Sequence, residues 1–105
     1  MHTLNMSDIL SKAKEALTEG VGALASGDYM EAIMAFRAGL RILGNDYLGD
    51  ANKTLDSTPM RIQLAKWQEH GGQLRPAAYL LQDALETRIY LMECRRSELS
   101  SLPLS

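Results

Sequence analysis

The chain is poor in the residues from which most catalytic and metal sites are built. Its 105 residues include one cysteine, Cys94, and two histidines, His2 and His70. A lone cysteine cannot close an internal disulfide, which excludes a disulfide scaffold and fits a reducing, cytoplasmic compartment better than an oxidising one. The histidines lie far apart in the sequence, and neither stands with cysteine or carboxylates at a ligand spacing, so no metal and no cofactor is expected. Long apolar runs are missing too. The longest, Ala77 to Leu81, falls far short of the roughly 20 residues that cross a bilayer, and the opening Met-His-Thr-Leu-Asn-Met-Ser-Asp lacks a basic start followed by an apolar segment. Neither secretion nor a membrane is expected. Charge of one sign is also lacking: 11 Lys and Arg face 13 Asp and Glu, divided as four and seven in residues 1–50 and as seven and six in the remainder. Nothing recruits nucleic acid or anionic lipid on charge alone.

What is present is apolar periodicity at helical spacing. Hydrophobic residues make up 46% of the chain, enough for one small domain with a single core. Ile9, Ala13, Ala16 with Leu17, Gly20 with Val21, and Leu24 predict an amphipathic helix from about Ser7 to Ala25. Gly27 stops it, and Asp28 with Glu31 three positions later reads as a capping box for the next helix. That second helix carries Tyr29, Ala32 with Ile33, Phe36, Gly39 with Leu40, and Leu43 on one stripe, leaves Arg37 and Arg41 outside it, and ends at Gly44. So short a turn makes an antiparallel hairpin over residues 7–44.

Residues 45–57 read as a connection, with a helical turn near Tyr47 and Leu48. Thr58 then caps a third helix, with Pro59 in its first position. Met60, Leu64 and Trp67 form its expected core stripe, with Ile62 and Ala65 beside them, and Gly71-Gly72 ends it after His70. A fourth helix carries Leu74, Ala77, Leu81, Ala84 with Leu85, Ile89 and Met92, runs on toward Leu99, and frays at Pro103. The second hairpin occupies residues 58–100. No alternation of β-branched residues suggests a strand, so the expected class is all-α, four main antiparallel helices in two helix-turn-helix hairpins.

The two hairpins match each other. Residues 27–40 align without gaps to residues 72–85, at an offset of 45. Gly27 pairs with Gly72, Tyr29 with Leu74, Ala32 with Ala77, Phe36 with Leu81, Gly39 with Ala84, and Leu40 with Leu85. A fixed offset of this kind marks a repeated unit. Small residues let two backbones approach and large ones fill the groove beside them, so Ala32 and Ala77 are expected at the crossings, opposite Gly20 and Ala65.

This order of small residue, Gly-Asp-Tyr turn, Ala, aromatic and small-Leu resembles the tetratricopeptide repeat over residues 7–44 and 58–92. The period of 45 is longer than that family's usual one and closer to the kinesin light chain type; the second copy lacks both aromatics. The first hairpin also resembles a microtubule-interacting-and-trafficking domain, a three-helix bundle that the long fourth helix would complete. The tetratricopeptide resemblance implies a non-enzymatic interaction module whose hairpins each present their first helix to a groove. Its groove positions fall on Lys14, Leu17, Val21 and Leu24, then Ile62, Lys66, Glu69 and His70. Leu17 and Val21 stand where some family members clamp a peptide carboxylate with lysine and asparagine. An amphipathic helix or an extended apolar segment of a protein partner is therefore the implied ligand. The trafficking resemblance, or a secretion chaperone, would capture a partner's helix. Two repeats leave one face unfilled, to be covered by the last helix or by a second subunit in a homodimer.

Other side chains invite chemical readings. Cys94 with His70 would make a nucleophile and base, but Cys94 sits beside Arg95 and Arg96 without a Gly-rich elbow. Glu15 and Glu19, one turn apart, read as a solvated face beside Lys12 and Lys14. Arg88, Arg95 and Arg96 read as complements to the dipole of the last helix. Tyr47, Leu48 and the six methionines offer an adaptable contact surface or ordinary core filler.

Overall fold

The structure is a computed structural model that describes residues 5–45, 47 and 56–101. Most of the 45–57 connection, including Leu48, lies outside the described residues, as do His2 and the Pro103 end. All regular structure among the described residues is helical: α1 (Met6–Ala25), α2 (Tyr29–Leu43), α3 (Thr58–His70) and α4 (Leu74–Ser101). The all-α class and both hairpins are as the periodicity predicts.

The helix starts follow from local chemistry. Asn5 Oδ1 accepts from the Asp8 backbone N–H at 2.9 Å, and Asp28 Oδ1 accepts from that of Glu31 at 3.2 Å, each satisfying a donor that the first helical turn leaves open. Both hairpin turns are built alike. Gly27 and Gly72 take φ of 76° and 80°, a region open to glycine at no steric cost. The N–H of Asp28 donates to Ala23 O at 2.9 Å and that of Gln73 to Gln68 O at 2.8 Å, while Gly27 and Gly72 donate to Leu24 O and Glu69 O, each at 3.0 Å. This is one helix-ending motif, written twice 45 residues apart.

Packing uses the small residues of that repeat. Ala32, Ala65 and Ala77 are fully buried, as are Phe36 and Leu81 at matched positions. A Cβ on Gly20 would stand 2.2 Å from the Phe36 ring, so the glycine leaves room for the largest fully buried side chain. A Cβ on Gly39 would meet Leu85 at 2.7 Å and Ala16 at 3.2 Å. Gly39 is therefore the point where α1, α2 and α4 converge. α4 is about 42 Å long at 1.5 Å per residue and packs against all three other helices.

α3 packs differently from the expectation. No Cα of α3 lies within 8 Å of one in α1 or α2; its backbone contacts are with α4 alone. The expected core stripe is turned outward: Met60, Leu64 and Trp67 are 77%, 43% and 64% exposed. The buried face is instead Thr58 and Ala65, flanked by half-buried Arg61, Ile62 and Gln68. Ala65 allows the close approach to α4 that the bulkier side would block, and Arg61 Nε donates to Asp83 Oδ2 at 3.0 Å across the same contact. In α1 the fully buried anchor is Leu10, whereas Val21 is 42% exposed.

Candidate functional site

The position of α3 depends on a polar cluster at its N-terminus. Thr58 does not cap its own helix through the hydroxyl. Asp56 does so from two residues upstream, Oδ1 accepting from Thr58 N at 3.0 Å and from Thr58 Oγ1 at 2.7 Å. Tyr47 Oη donates to the other Asp56 oxygen. Arg88 of α4 completes the cluster, its Nε donating to Thr58 Oγ1 at 2.8 Å and its guanidinium centred 4.5 Å from the Tyr47 ring centroid. Thr58 is fully buried and Tyr47 and Arg88 nearly so. Arg88 is thus a buried strut thirteen residues before the end of α4, rather than a complement to the helix dipole, and Tyr47 is a packing partner rather than a contact surface.

Burial raises the Tyr47 phenol, and its bond to Asp56 pushes it the same way. Burial would raise Asp56 as well, but hydrogen bonds from Tyr47 and Thr58 and the Arg88 charge outweigh it and hold the carboxyl below its ordinary value of 3.8. A carboxyl depressed in the folded state adds stability above its unfolded value and loses it as pH falls through the folded one. The wild-type chain should therefore resist urea better than Asp56→Asn at neutral pH. The gap between the two unfolding midpoints should begin to narrow below about pH 4 and close once the pH has fallen below the depressed folded value of Asp56, which urea titrations at several pH values will measure.

Held at that end by the cluster, α3 faces α2 across a cleft of about 650 Å³ lined by Met30, Arg37, Ile62, Lys66, Glu69 and His70. The spacing of Ile62, Lys66 and Glu69 puts them on one side of α3, as Met30 and Arg37 are on α2. One ion pair bridges the cleft, Arg37 Nη2 to Glu69 Oε2 at 2.5 Å, with both side chains largely covered. Lys66 is left as the cleft's exposed cation, next to the apolar Met30 and Ile62.

The eight groove positions implied by the tetratricopeptide resemblance divide into two sets. Ile62, Lys66, Glu69 and His70 gather in this cleft. Lys14, Leu17, Val21 and Leu24 do not join them, because α4 takes the place beside α1 and no α1 backbone approaches α3. Lys14 Nζ is paired with Glu93 Oε1 of α4 at 2.7 Å. Leu17 and Leu24 are half-buried against the core. The second wall is α2, whose contributors Met30 and Arg37 are not among the groove positions that the resemblance implies. Met30 lies in the first turn of α2 and Arg37 two turns on, both about 100–120° from the centre of the buried stripe, and this position on its flank is the available signal.

Elsewhere, Cys94 is half-buried and lies 20 residues into α4, about 30 Å along the helix from the turn that follows His70. Cys94 and His70 are not brought together as nucleophile and base. Glu15 and Glu19 are exposed on α1, and no group of three His, Cys, Asp or Glu among the described residues stands ready to hold a metal ion. No helix among the described residues is long and apolar enough to cross a membrane. No known protein family matches this chain, and no curated protein and no solved structure is significantly similar to it.

Proposed function

We propose that the chain is a non-enzymatic protein-interaction module of the cytoplasm and that its docking site is the cleft between α2 and α3. The observation that carries this reading is the lining itself: two helices present Met30 and Ile62 beside one exposed cation, Lys66, and a groove between helices is a recurrent seat for a partner's helix or extended segment. Methionine adapts to irregular apolar partners, and the charge left after Arg37 and Glu69 neutralise each other is positive. The ligand that fits is an amphipathic segment with a carboxylate beside its apolar face. The tetratricopeptide-like turn and the repeat at 45 residues agree with such a role.

A second reading, a bundle of the microtubule-interacting-and-trafficking kind or a secretion chaperone, draws support from one specific observation: α4 packs against α1 and α2 together, around Gly39. It too would capture a partner helix. In either case peptides selected from a random display library against the folded chain should be amphipathic and acidic. Lys66→Glu with Met30→Asp should weaken the selected peptides by roughly 30-fold or more, the scale of an interface hot spot, whereas Val21→Asp on α1 should leave them unchanged. Binding that survives the cleft substitutions, or a library that yields no binder, overturns the proposal.

A further inference from the structure

The largest apolar side chains of α3 point away from its own domain. Met60, Leu64 and Trp67 follow i, i+4, i+7 spacing, and at 100° per residue they fall within about 60° of one another on the helix surface. Ile62, Lys66 and Glu69 lie roughly opposite, so this outer stripe is separate from the cleft and independent of the proposed docking function. A helix in a small domain that buries Thr58 and Ala65 while exposing Trp67 has its hydrophobic side unpartnered.

We infer that this face is a two-fold interface with a second copy of the chain, formed by antiparallel pairing of α3 with its symmetry mate. The symmetry of the helix itself points to this occupant. Leu64 is the central residue of Thr58–His70, and a dyad passing beside it sets Met60 of each copy against Trp67 of the other. That is a sulfur–aromatic contact at both ends, and an isologous interface of this kind needs such self-complementarity. Charge also permits it. The stripe carries no ionised residue, its edges carry Gln63 and Gln68, and the one cation at an edge, Arg61, is paired with Asp83. On α3 itself, two copies can therefore meet without opposing like charges.

The face extends onto α4. Tyr79 lies one turn before Asp83 on the side that Arg61 reaches, is 48% exposed, and carries the Arg75 guanidinium 5.9 Å from its ring centroid. With buried aromatics covering 150–250 Å² each, the exposed parts of Met60, Leu64, Trp67 and Tyr79 supply roughly 500 Å² per copy. The polar edges add to this, toward the roughly 800 Å² per partner of a standard interface. That area fits a reversible, concentration-dependent dimer rather than an obligate one.

Sedimentation equilibrium from micromolar to millimolar chain tests the inference, with emission from Trp67, the only tryptophan, as a second readout. The mass should rise from 11.6 kDa toward twice that value, and Trp67 emission should move to shorter wavelength over the same concentrations. Leu64→Glu, on an exposed face, should keep the helical circular dichroism and weaken the dimer roughly 30-fold or more. A mass of 11.6 kDa at every concentration, or a dimer that Leu64→Glu leaves intact, overturns it.

Discussion

Replacing Phe36 by alanine should lower stability by about 3–5 kcal/mol, the cost of truncating a fully buried aromatic. A chain of this length has about 5–15 kcal/mol to lose, so the variant should stand near the edge of folding. The reason lies across the α1–α2 contact. The ring occupies the space in which Gly20 would carry a Cβ, and it is wholly enclosed, so it cannot swing away. Gly20→Ala in the wild-type chain therefore sets an overpacking cost of about 1–3 kcal/mol against a helix-propensity gain of up to about 1 kcal/mol. The net effect should be destabilising. In the Phe36→Ala background the clash is gone and the added methyl enters the vacated space, so the same change should stabilise. Gly22→Ala, where a Cβ meets nothing within 4 Å, is the control and should stabilise by about 0.5–1 kcal/mol. Urea midpoints for the four members of the cycle measure the coupling. Additive effects would mean that the ring and the glycine do not meet.

The second large effect belongs to Arg88. Truncation to alanine removes a charged hydrogen bond to buried Thr58 and a guanidinium stacked on Tyr47. With about 1.5–3 kcal/mol for the first and up to about 2 kcal/mol for a desolvated cation–π contact, the loss should come to roughly 3–4 kcal/mol. It should also be local. α3 holds to the rest of the fold through α4, the Arg61–Asp83 and Arg37–Glu69 pairs and this cluster, whereas α1 and α2 share the main core with α4. Hydrogen exchange in Arg88→Ala should accelerate across Thr58–His70 and change little in the middle of α2. Uniform acceleration along the chain would show that the cluster supports the whole core and not the seat of α3.

Much of the fold was legible because α2 and α4 obey simple rules. Their stripes, from Ala32 to Leu43 and from Ala77 to Met92, are buried where the helical period puts them, and the glycine turns at 27 and 72 repeat the same pair of helix-ending bonds. α3 departs from its expected packing for a physical reason. Apolar spacing identifies an apolar side of a helix, but not whether that side meets the chain's own core, and in α3 the small Ala65 with polar Thr58 and Arg61 wins the contact with α4. The same limit hides the α2 wall of the candidate site. Ile62, Lys66, Glu69 and His70 do share a cleft, but which helix would face them is a tertiary matter, decided by α4 packing beside α1. Arg88 reads as a complement to the helix dipole because nothing local announces a buried partner 30 residues away in sequence.

Chemical-shift mapping with a display-selected peptide tests the docking proposal most directly. Amide shifts confined to the α2 and α3 walls, at Met30, Arg37, Ile62, Lys66, Glu69 and His70, are the predicted result. Shifts centred on Leu17, Val21 and Leu24 of α1, with those six residues unmoved, would contradict it.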